Sequence, residues 1–84
     1  MIGSMNDSII GRYVRSLAGR GTGRIYAITA IADENHVLIA DGRTRKQTNP
    51  KRKKLKHIKL LEGRAELPMT DKELWAEINN FDLS

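Results

Sequence analysis

Between Ile9 and Ala40 the chain returns repeatedly to short runs of strand-forming residues separated by turn residues. The first run, Ile9 to Ala18 (IIGRYVRSLA), alternates imperfectly. Val14 shares a face with Arg12 and Ser16, while Tyr13 and Leu17 take the other. Apolar groups on both faces predict a strand of a barrel, or one bent by a bulge. Arg24 to Ala32 (RIYAITAIA) is the second strand, with Ile25, Ala27, Thr29 and Ile31 on one side. Asp33-Glu34-Asn35 is a short polar hairpin connection, and His36 to Ala40 is the third strand. Asp41-Gly42 ends it with a turn pair. Residues 9–42 therefore predict a three-stranded antiparallel meander.

Beyond Gly42 the apolar pattern is poorer. Arg43 to Thr48 is expected to be a short edge strand, where Lys and Arg discourage unwanted pairing. Asn49-Pro50 is a turn. Lys54 to Leu61 (KLKHIKLL) sets Lys56, Ile58 and Leu60 against Leu55, His57 and Lys59, and is expected to be the closing strand. Five short strands in about fifty residues predict a small barrel. The period then changes. Thr70-Asp71-Lys72-Glu73 is a capping box flanked by Met69 and Leu74 at staple positions. Leu74, Ile78 and Phe81 follow at i, i+4 and i+7, predicting a helix over residues 71–80 with one apolar face. The fold class is thus mainly β: a barrel of about five strands over residues 9–62, then a linker containing Leu67-Pro68 and a short acidic C-terminal helix over 63–84. Residues 1–8 are read as a disordered or expression-derived lead-in.

Eighty-four residues allow one domain, near the lower limit for independent stability. With no cysteine there are no disulfides and no Cys-based zinc site, which fits a reducing cytoplasm. No apolar run approaches the roughly 18 residues of a membrane span, and no signal peptide is legible. The charge is more informative. The net +5 divides into 0 over residues 1–42, +9 over 43–59 and −4 over 60–84. Nine of the fifteen Lys and Arg residues lie in RTRKQTNPKRKKLKHIK, Arg43 to Lys59, which holds no acid. Like charges at this density repel and cost stability, and a polyanion relieves the repulsion while releasing counterions. Arg43, Arg45, Lys46, Lys51, Arg52, Lys53, Lys54 and Lys56 are the expected phosphate contacts. Arg20 and Arg24 join from the Gly19-Arg20-Gly21-Thr22-Gly23 loop, and Arg12 and Arg15 extend the surface. Charge alone does not separate RNA from DNA, nor from anionic lipid met through KRKKLKHIKLL, but the apolar residues there are expected to be spent on the core, so no membrane partner is expected.

Other chemistry is thin. GRGTG is not followed by Lys-Ser or Lys-Thr, so it is no nucleotide P-loop. The only aromatics are Tyr13, Tyr26, Trp75 and Phe81, the last two suited to docking the helix. Base stacking needs several exposed rings close together, so phosphate and shape recognition is favoured. His36 and His57 stand without metal-ligand spacing, and no nucleophile lies in a catalytic context. The chain is expected not to be an enzyme, with no cofactor and no metal. The acidic helix has three open readings: it completes the core, it covers the basic run, or it binds a partner through Leu74, Trp75, Ile78 and Phe81.

GRYVRSLAGRGTGRIYAI, Gly11 to Ile28, resembles a KOW motif: strand, Gly-containing loop, strand. The similarity continues through NHVLIADGR and KRKKLKHI, covering roughly residues 9–61. Over that extent the chain resembles the stand-alone bacterial KOW-domain proteins, themselves similar to a single-KOW large-subunit ribosomal protein of archaea and eukaryotes. The resemblance implies an SH3-like barrel that binds RNA, commonly ribosomal RNA. Gly19 and Gly23 match the loop glycines and Val14 the buried strand position. Thr22 departs from the Lys that many KOW units carry before the glycine, which removes one phosphate contact. The expected partner is therefore RNA, with ribosomal RNA first, met by a cytoplasmic monomer. The alternative is a protein-interaction module of the translation or transcription machinery that uses the barrel and the helix.

Overall fold

The computed structural model describes residues 9–83; the lead-in expected over 1–8 lies outside them. Five strands and one helix follow in order: β1 (Arg12–Ser16), β2 (Ile25–Asp33), β3 (His36–Ala40), β4 (Lys51–Lys54), a 3-10 turn (Leu55–His57), β5 (Ile58–Arg64) and α1 (Asp71–Leu83). All pairings are antiparallel, in the order β4-β3-β2-β1-β5. The chain is mainly β with a C-terminal helix, as expected, and the arrangement is compatible with an SH3-like domain. The closed barrel is not formed: β4 and β5 are the two edges of one open sheet.

Irregular registers bend this sheet. The pairing shifts between Arg12 and Val14 on β1, and twice along β2, between Ile28 and Ala30 and between Ile31 and Asp33. Such bulges increase local twist and let a short sheet curl around side chains on both faces. Two cores result. Tyr13, Ile25, Ala27, Ala40 and Ala65 meet Leu74 and Ile78 of α1 in one; Val14, Tyr26, Ile28, Val37, Ile39 and Ile58 form the other. The mixed pattern of β1 is explained, because Tyr13 and Val14 are both buried in different clusters, while Leu17 is half exposed.

The helix begins where the capping box places it. The Thr70 amide donates to Glu73 Oε1 (2.8 Å), and the Glu73 amide donates to Thr70 Oγ1 (3.1 Å). The Thr70 amide, then its hydroxyl, hold the Glu73 carboxyl below its usual range. The helix runs three residues past Asn80 because Phe81 docks on Tyr13, with ring centroids 4.7 Å apart. Leu74 and Ile78 are buried, so the helix completes the core. Thr70→Ala should cost about 1 kcal/mol, a fall of roughly 4–8 °C in the thermal midpoint of a domain this size. A melt that does not move would show the cap to be idle.

Candidate nucleic-acid interface

The basic run opens in the loop after β3, and that loop is not the predicted edge strand. Its donors are taken by carboxylates. Asp41 is 1% exposed and accepts from the Arg43 amide (2.9 Å), the Arg45 amide (2.9 Å) and the Thr44 hydroxyl (2.5 Å). The Asp41 and Gly42 amides both return to the Arg45 carbonyl. Two residues on, the Gln47 amide donates to Asp71 Oδ1 (2.9 Å), and Gln47 Nε2 reaches the Met69 carbonyl. Residues 43–47 are thus wound between Asp41 and the first turn of α1, leaving no amide ladder for pairing. Gly42 is needed at this approach: its φ is +84°, and a Cβ there would lie 2.1 Å from the Asp71 carbonyl oxygen.

The edge strand lies later, at β4, and its alternation sorts four consecutive cations. Lys53 pairs across from Val37 and faces inward at 7% exposure, its Nζ donating to the Ala18 carbonyl. Burial, then the neighbouring Lys51 charge, push the Lys53 ammonium below its usual pKa. It ties β4 to the Gly loop. Arg52 and Lys54 point out. Arg52 is engaged by Asp33 (2.6 Å), whose carboxyl is lowered to about 2 by its hydrogen bonds to His36, then to the Asn35 amide and Arg52. The predicted closing strand also begins later than expected: Leu55–His57 form a 3-10 turn carrying exposed Lys56, and only from Ile58 does β5 pair with β1. Ile58 joins the core, whereas Leu55 and Leu60 remain partly exposed, so the apolar residues of KRKKLKHIKLL are not all spent inside.

The Gly loop brings its cations to the same neighbourhood. Gly19 and Gly23 have φ of +83° and +88°. The Thr22, Gly23 and Arg24 amides are spent on the Gly19, Ser16 and Gly21 carbonyls, so these three are not free to meet an anion. Arg20, Arg24, Arg45 and Lys51, with Gly21, Tyr26 and Thr44, surround a concavity of about 260 Å³. A shallower one of about 560 Å³ runs beside it along Lys51, Arg52, Lys53 and Lys54, with Gly19, His36 and His57. Lys51 belongs to both, and among the described residues no carboxylate lines either.

The remaining candidates are dispersed. Arg43 lies over the Trp75 ring, 5.3 Å from its centroid, and so faces the helix. Arg15 donates to the Gly23 carbonyl (2.8 Å) and braces the loop, while Arg12 straps β1 to the Leu61 carbonyl of β5 (2.7 Å). Lys46 is exposed at the loop tip, and Lys56 borders a further hollow with Lys54, Leu55, Asn35 and His36. Sequence reasoning misses Tyr26 and Asp41. The pattern offers Tyr26 only as a stacking or packing ring, and Asp41 only as a turn residue. An acid followed by three donors in a basic stretch is the signal for the second. Burial, then the Asp41 charge, raise the Tyr26 phenol above its usual pKa. Among the described residues no three of His, Cys, Asp and Glu gather to hold a metal, and no helix is long and apolar enough to cross a membrane. No known protein family and no curated protein matches the chain.

Proposed function

We propose that the protein is a binding module for structured RNA, with ribosomal RNA the first candidate, and that it works by capturing phosphates. The observation that carries this reading is the convergence on Lys51. Cations from the Gly loop, from the loop after β3 and from β4 line two adjoining concavities without an acid between them. Surface charges arranged only for solubility are interspersed with the opposite sign. The loop glycines at positive φ suit a KOW-like hairpin, and the scarcity of exposed rings favours phosphate over base recognition. Leu74 and Ile78 are committed to the core, so a protein partner would have to meet other residues than the helix's apolar face. Fluorescence anisotropy with a ribosomal RNA fragment tests the reading. Neutralising about four to six phosphates gives a slope of log affinity against log salt of about −3 to −5. No binding at low salt, or binding indifferent to salt, removes the proposal.

A further inference from the structure

We propose that the concavity between the Gly loop and the loop after β3 is a seat for a single phosphate group, functionally separate from the flatter basic edge along β4. The inference rests on the reading of the protein as an RNA binder and adds the place where a phosphate is gripped. Three chain segments supply the cations: Arg20 and Arg24 from the Gly loop, Arg45 from the loop after β3, and Lys51 from the start of β4. The side chains of Arg20, Arg24 and Lys51 have no hydrogen-bond or ion-pair partner among the described residues. Four cations facing one hollow repel each other, and an anion placed among them removes that cost.

The hollow has a structural origin. Tyr26, 4% exposed, forms its floor, and its hydroxyl comes so close to Gly21 that a Cβ there would lie 2.2 Å from it. A side chain at position 21 would displace the phenol or fill the hollow. Asp41 sits behind Thr44 and Arg45 with its oxygens occupied by their donors, so it fixes the wall instead of competing for the cations. At about 260 Å³ the space falls below the roughly 300 Å³ at which pockets for drug-sized ligands begin. That size suits a phosphate with its ester oxygens better than a whole nucleotide. Arginine guanidinium groups bind phosphate through paired, charge-assisted hydrogen bonds, and three of the four cations are arginines.

Amide NMR of the whole chain, titrated with inorganic phosphate at constant ionic strength, tests the seat. Saturable shifts are expected at Gly21, Arg24, Thr44 and Arg45. They should vanish in Arg24→Gln/Arg45→Gln and persist in Arg52→Gln. Shifts that grow without saturation, or that centre on residues 52–54, overturn the proposal. Anisotropy with RNA separates the two readings. In Arg24→Gln/Arg45→Gln, RNA affinity should fall about tenfold for each charged hydrogen bond removed. RNA binding that is unchanged in this variant removes the seat and leaves the RNA reading standing. Saturable phosphate binding without RNA binding removes the RNA reading and leaves the seat. A short RNA with a 5′-phosphate, compared with its 5′-hydroxyl form, identifies the source of the group. A preference for the phosphorylated end assigns a terminal phosphate, and equal affinity with the same amide shifts assigns an internal one. Either result supports the seat.

Discussion

Asp41→Ala is expected to remove about 3–5 kcal/mol of stability, enough to leave a domain of this size partly unfolded at 37 °C. The carboxylate is buried and accepts three hydrogen bonds, two from backbone amides and one from the Thr44 hydroxyl. Alanine would leave all three donors without their acceptor, and each donor that water does not reach costs about 1–3 kcal/mol. The loop would also lose the centre it is wound around, and with it the position of Arg45. Asp41→Asn keeps one oxygen for the two amides and replaces the other with a donor facing Thr44, whose hydroxyl can turn to accept. Its cost should be smaller, about 1–2 kcal/mol. Urea denaturation of the three proteins gives the ordering directly. An alanine variant as stable as the parent would mean that residues 43–47 are held in place by Gln47 and the helix alone.

Why the sequence pattern misplaces the edge strand follows from the same residue. Alternation locates β1, β2 and β3 because each buries apolar side chains, and a period of two is legible where one residue is inside and the next outside. The capping box locates α1 because the reciprocal bonds of Thr70 and Glu73 are local. The strand at Lys51–Lys54 carries no apolar residue. Its inward position is taken by the stem of Lys53, so hydrophobic periodicity has nothing to register. The loop before it is shaped by Asp41 and by Asp71, the latter 24 positions from the Gln47 it binds, and a partner so distant cannot be read from a local pattern. The open sheet has a related cause. Closure would require β4 to pair with β5, but one 3-10 turn joins them at opposite edges. The charge of the run is plain in the sequence. Its division into exposed, paired and buried cations depends on tertiary contacts.

That division sets the largest functional effect. The parent protein should lose roughly 60- to 1000-fold in affinity for ribosomal RNA between 50 and 200 mM salt, which corresponds to a slope of about −3 to −5. Arg24→Gln/Arg45→Gln/Lys51→Gln/Lys54→Gln removes cations that line the two concavities, leaving the core and Asp41 untouched. Removing one phosphate-binding cation should make the slope shallower by about 0.7–0.9, so the fourfold variant should bind weakly, with a residual slope between about 0 and −2. Two further substitutions test the assignment by residue. Arg52→Gln should change the slope less than Lys51→Gln, because Asp33 already compensates the Arg52 charge. Lys53→Gln should lower stability while leaving the slope nearly unchanged, because its ammonium is bonded to the Ala18 carbonyl. Equal slope changes at Arg52, Lys53 and Lys54 would mean that the run acts by total charge, with no role for the way β4 sorts it. Duplex DNA competing as well as the RNA fragment would remove RNA from the proposal, because the 2′-hydroxyl and A-form shape would then contribute nothing.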